Sequence, residues 1–114
     1  MTRASYYVDA TKQCFGDGVN GCALTDLVAV GTKPAGDGRW GQSDLAGNVW
    51  EWTLDWYATY AACTNCANLT ITSSRVFRGG GFAVGASNLR AGYRLYNTPT
   101  YRDYYVGVRC ARTP

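Results

Sequence analysis

The sequence predicts one loop-rich domain carried by a few short strands, and three observations predict it. Helical periodicity is weak throughout, and fourteen glycines punctuate the chain every few residues. The clearest apolar pattern has period two, the spacing of a half-buried strand. Nine Tyr, four Trp and three Phe supply large area per residue, which suits a modest core in a chain of 114 residues.

The elements follow in order. Turn signals stand at "GDG" (16–18), "GDG" (36–38) and "GGG" (79–81). In "VWEWTL", Trp50, Trp52 and Leu54 face one way and Val49, Glu51 and Thr53 the other. In "RVFRG", Arg75 and Phe77 alternate with Val76 and Arg78. In "YVGVRCAR", Val106, Val108 and Cys110 alternate with Gly107, Arg109 and Ala111. Each is expected as a short half-buried strand. The long connections between them hold Asn, Thr, Tyr and Pro, and loops of that length carry packing of their own or a function.

Composition excludes several function classes. An apolar fraction of 46% with 17% charged residues is globular, not disordered. The net charge of +3 is small and its eleven basic residues are scattered, which argues against a nucleic-acid surface. No apolar stretch approaches the ~20 residues of a membrane span. The opening "MTRASYYVDATKQ" has no apolar segment behind its basic residue, so any export signal is expected outside this chain. There is no histidine. That removes Ser-His-Asp and Cys-His catalysis, and histidine-held iron or zinc, from this chain.

Five cysteines remain. Cys14 and Cys22 bracket a loop rich in Gly, Asp and Asn, and Cys63 and Cys66 form a C-x-x-C; each pair is expected as a disulfide. Reduced buried thiols are the alternative. Zinc fits poorly, because no second C-x-x-C stands at useful spacing. Cys110 is left over, either buried or paired elsewhere. Cysteine usage of this kind places the chain in an oxidising, extracytoplasmic compartment.

Three ordered motifs then become legible: "GQSDLAGNVWEWTLDWY", "RVFRGGGF" and "YVGVRCAR". Over residues 28–112 the chain resembles the C-terminal half of the formylglycine-generating enzyme (sulfatase-modifying factor) family, whose hallmarks run G-N-V-W-E-W, R-V-x-R-G-G-S and G-F-R-C-A-R. The resemblance implies an α+β, mostly irregular, C-type-lectin-like fold with a small antiparallel sheet. Members are longer, so the fold is expected in truncated form. It also implies calcium, held by the carboxylates of Asp44 and Glu51 and the carbonyls of Gly47 and Val49. Calcium takes six to eight oxygens, which a glycine-bearing turn can supply. Trp50 and Trp52 are then core.

The family's chemistry does not carry over. Its oxidases hold copper(I) with two cysteines beyond the R-G-G-S motif, assisted by that serine. Here the segment reads "RGGGFAVGASNLR", with Gly81 at the serine, Val84 at the first cysteine and Leu89 near the second. Copper(I) wants thiolates, so no copper is expected. Cys110 matches the family's non-catalytic C-terminal cysteine. The histidine-dependent iron relatives fare no better.

Two function classes follow. The first is a non-catalytic binding or structural module. Residues 86–105 hold five of the nine tyrosines among Asn, Ser, Thr and Arg, a composition suited to adaptable contact with a protein partner or a second copy. Tyr93, Tyr96, Tyr101 and Tyr104 are the residues expected at that surface, and the alternative is that they fill the core. Carbohydrate is a further ligand class, for which Trp40 and Trp56 are the better stacking candidates. The second class is the family's oxidase, or another redox enzyme using Cys63 and Cys66 as a dithiol. "NLT" (68–70) fits a glycosylation sequon and points to an exposed segment.

Overall fold

A seven-residue strand, β3 (Trp50–Trp56), organises the molecule. The computed structural model describes residues 4–8, 13–14, 16–64 and 66–110. Ahead of β3 lie a two-residue pair, β1 (Tyr7–Val8) with β2 (Gln13–Cys14), antiparallel. Behind it come β4 (Arg75–Arg78), β5 (Leu95–Asn97) and β6 (Val106–Val108). The main sheet has the order β5-β4-β3-β6. Among the described residues the helical segments are short 3₁₀ turns at Leu24–Asp26, Pro34–Gly36 and Ala86–Leu89. The irregular, few-helix architecture expected from the glycine spacing is present.

The sheet is mixed, not antiparallel. β3–β4 and β4–β5 are antiparallel, but β6 runs parallel to β3, with Trp50 opposite Val106 and Trp52 opposite Val108. β5 occupies the open side of β4, so the returning chain crosses to the free side of β3 and enters it in the same direction. A parallel pair needs such a long connection rather than a tight turn.

All three expected alternations also break. Val76 and Phe77, neighbours on β4, are both buried, because β4 is paired on both sides and covered on both faces. A one-sided strand pattern cannot describe an interior strand. On β3, Trp50 is buried but Leu54 is 63% exposed. The register between β3 and β4 shifts between Trp52 and Trp56, and the irregularity there leaves Leu54 exposed while Asp55 and Trp56 stay half-buried. On β6, Val106 is half-buried and Val108 exposed, and Ala111 lies outside the described residues.

The core is small and aromatic. Phe77 meets Trp50 and Trp52 edge-on, with ring centroids 5.6 and 5.0 Å apart, a favoured arrangement for aromatic pairs. Phe82, Cys14 and Ala4 complete it. The long β3–β4 connection is tied back by Asn68. Its Nδ2 donates to Trp56 O at 2.8 Å and its backbone N–H to Asp55 Oδ1 at 2.8 Å. The side chain of the sequon asparagine is thus half-buried and spent on the backbone, although its neighbours are exposed as expected.

Candidate functional site

The turn from Asp44 to Glu51 enters β3 through three left-handed residues, Asp44 (φ 54°), Gly47 (φ 80°) and Asn48 (φ 65°). At Gly47 only glycine fits, since a Cβ would stand 2.2 Å from Ser5 O. Asn48 tolerates the conformation because its side chain is locked: Oδ1 accepts from Val28 N–H and Nδ2 donates to Val28 O, both at 3.0 Å. Its backbone N–H donates to Ser5 O at 2.9 Å and its carbonyl accepts from Phe82 N–H at 2.9 Å. Asn48 is therefore the joint between the N-terminal segment, the turn and the glycine triplet. The sequence reading passed over it, although the G-N-V-W-E motif names it.

Of the four expected calcium ligands, Asp44 and Glu51 are drawn together by one residue outside the set. Arg109 donates from Nε to Glu51 Oε2 at 2.8 Å and from Nη2 to Glu51 Oε1 at 2.7 Å. Nη2 also reaches Asp44 O at 3.2 Å. The hydrogen bonds to Glu51 hold the guanidinium above its already high ionisation range. Asp44 Oδ2 accepts from Gly31 N–H at 2.8 Å. Gly47 N–H donates to Gly79 O at 2.8 Å. The carbonyls of Leu45 and Val49 both face the α-carbon of Gly79, 3.4 and 3.9 Å from where a side chain would begin. The expected ligand atoms are all oxygens, the kind calcium takes, although among the described residues no group of three or more acidic or cysteine side chains is gathered to hold a metal ion. Glu51 would have to be shared with Arg109.

The glycine triplet lies alongside. Gly79 and Gly80 have φ of 93° and 77°. Gly81 approaches the Trp50 indole, whose Cδ1 and Nε1 stand 3.2 and 3.3 Å from its would-be Cβ. Leu89 covers Gly80 so closely that a Cβ there would come within 2.4 Å of Cδ2. Val84 is fixed by its backbone, its N–H donating to Gly81 O at 3.4 Å and its carbonyl accepting from Tyr7 N–H at 3.0 Å. Leu89 brings hydrocarbon against this corner. The cysteines are elsewhere: Cys14–Cys22 and Cys63–Cys66 form the two expected disulfides, and Cys110 is exposed with a free thiol.

The sulfatase-modifying factor enzyme 1-like domain model matches residues 3–114. The chain belongs to that family. The sulfatase-modifying-factor chain is 31% identical over 114 residues to the hercynine oxygenase of Mycolicibacterium thermoresistibile, covering 85% of this chain and 26% of that protein. It is 32% identical over 108 residues to the formylglycine-generating enzyme of Thermomonospora curvata, covering 86% of this chain and 33% of that protein. Among solved structures, Treponema denticola variable protein 1 superposes with a TM-score of 0.64 at 26% identity, over 93% of this chain and 34% of that one. The chain thus spans about a quarter to a third of the length of these relatives.

The four tyrosines expected at a partner surface of this sulfatase-modifying-factor chain do not form one face. Tyr93 is half-buried, with its ring 6.0 Å from Trp50. Tyr96, on the β5 edge, is 52% exposed and stacks on Tyr57 at 3.7 Å. Tyr101 and Tyr104 flank the entry to β6 at the opposite edge. Tyr101 donates to Asp103 Oδ2 at 2.8 Å and shares a hydrogen bond with Tyr105. Tyr104 is 63% exposed and meets Tyr105 edge-on at 5.2 Å. Beside Tyr96, Arg94 lies 3.7 Å from the Tyr60 ring and 4.8 Å from Tyr57. That arginine–tyrosine ladder was legible only as composition. Trp40 is exposed, as expected of a stacking residue, whereas Trp56 is half-buried under Arg75 at 4.3 Å.

Proposed function

We propose that this chain is a non-catalytic, C-type-lectin-like member of its family. On this reading it presents side chains from residues 86–105 to a protein partner or a second copy. The observation that supports the reading is the segment after the glycine triplet: Val84 stands at, and Leu89 near, the positions where the family resemblance puts the two copper(I) thiolates, and four of the five cysteines are spent in disulfides. Exposed Tyr96 and Tyr104 on a disulfide-tied frame supply contact area at low entropy cost. A likeness to a protein named for its variability suits a frame whose exposed side chains are free to differ. The two disulfides favour an oxidising compartment.

Calcium belongs to the same proposal as a structural ion, with Asp44, Gly47, Val49 and Glu51 holding it. Its supplied chemistry would be charge neutralisation across the turn. The bidentate Arg109–Glu51 pair favours a second reading, in which the guanidinium alone closes the turn.

The test of the functional reading is incubation of copper-treated protein with a cysteine peptide. The peptide should keep its thiol mass. Conversion to an aldehyde would assign this chain the family's oxidase activity instead.

A further inference from the structure

The β3–β6 side of the sheet holds a cavity of about 460 Å³ that lies apart from the glycine triplet. Trp52, Val106, Pro99 and Tyr101 contribute its apolar lining, and Arg75 and Arg102 its charge. No Asp or Glu is among its described lining residues. Both guanidinium groups are braced on one side only. Arg75 Nη1 donates to Leu54 O, and its head lies over Trp56. Arg102 Nη1 donates to Pro99 O at 2.9 Å and Tyr101 O at 2.8 Å. Nε and Nη2 of each have no protein acceptor among the described residues. The aromatic walls are fixed too, Trp52 by Phe77, and Tyr101 by a hydroxyl committed to Asp103 and Tyr105.

We infer that this cavity is a binding site for an organic carboxylate with an apolar body. Two pre-set guanidinium groups offer paired N–H donors that match a carboxylate, and bracing them in advance removes much of the ordering cost of binding. The space is that of a small-molecule site, mostly apolar with a few convergent polar groups. A neutral ligand would leave two cations without an anion, and a cationic one would be repelled. The site goes beyond the display reading, with which it shares Pro99, Tyr101 and Arg102, and none of its residues belongs to the calcium turn or the hydrocarbon corner. The carboxylate can come from a free acid or from the C-terminus of an apolar peptide.

The test is a titration of the isotope-labelled full chain with phenylacetate, phenylacetamide and a tetrapeptide ending in phenylalanine, read at the Trp52 indole N–H. Phenylacetate should shift that signal saturably, and phenylacetamide should bind at least tenfold more weakly. Arg102→Gln, at an exposed position, should weaken phenylacetate at least tenfold while leaving the melting temperature unchanged. Tighter binding of the tetrapeptide assigns the source to a chain terminus, and weaker binding assigns it to free acids. Absence of a saturable shift, equal affinity for the amide, or unchanged affinity in Arg102→Gln overturns the inference.

Discussion

Arg109 grips Glu51 with both arms of its guanidinium, at 2.7 and 2.8 Å, and extends one of them to the carbonyl of Asp44. The pair joins the segment just past β6 to the start of β3, and through Asp44 to the turn before it. Both side chains are partly exposed, at 33% and 22%, so solvent screens the attraction. Glu51→Gln should therefore cost only about 1–2 kcal/mol, measured by urea denaturation. A double-mutant cycle with Arg109→Gln should recover most of that as coupling.

If calcium shares Glu51 with that arginine, thermal melts will report it. Calcium at a hundredfold excess over its Kd should add about 2.7 kcal/mol. A chelator should remove the gain, and Glu51→Gln should abolish it. Arg109→Gln should tighten calcium binding, because it frees both carboxylate oxygens. Melts unaffected by calcium and chelator alike would leave the guanidinium as the sole clamp.

Gly47→Ala should destabilise by more than about 2 kcal/mol. It forces a Cβ into the left-handed region and against Ser5 O, 2.2 Å away. Gly92→Ala, where a Cβ would meet nothing within 4 Å, serves as the control.

The two disulfides should differ in worth. Cys14–Cys22 closes a loop across a buried cysteine whose N–H is bonded to Gly21 O at 2.9 Å. Replacing both cysteines by serine should cost about 2–3 kcal/mol on the chain-entropy model. Cys63–Cys66 spans three residues in an exposed connection, and its loss should cost less.

Tyr101 should ionise late. Its hydrogen bonds with Tyr105 and Asp103 push its ionisation well above the ordinary value near 10. The folded state therefore keeps a proton that the unfolded chain gives up. That contribution to stability is fully present below about pH 10, and it fades as pH rises through the higher folded value. An ultraviolet titration should show a late tyrosine step that Tyr101→Phe lacks.

How much of this was legible depended on whether a feature is local. The strand at Trp50, the turn at Gly47 and the pairing of Cys14 with Cys22 are written in short stretches, and the sequence reading found them. The β3–β6 pairing is not, because the direction of a strand that crosses the sheet leaves no trace in its three residues. The double burial of Val76 and Phe77 depends on β5 and β3 lying on either side, and the exposure of Leu54 on a bulge. Arg109 lay in a recognised motif, yet its partner stands 58 residues away. The tyrosines failed as a single surface for a similar reason: Tyr96 and Tyr104 are near in sequence, but the sheet order sends them to opposite edges.

The thiol-free corner beside Gly80 is tested most directly by native mass spectrometry with one equivalent of copper(I). Ascorbate should be the only reductant, so that both disulfides stay closed. The protein is expected at its copper-free mass, both as the natural sequence and as Cys110→Ser. A stoichiometric copper complex that survives Cys110→Ser would contradict the non-catalytic reading.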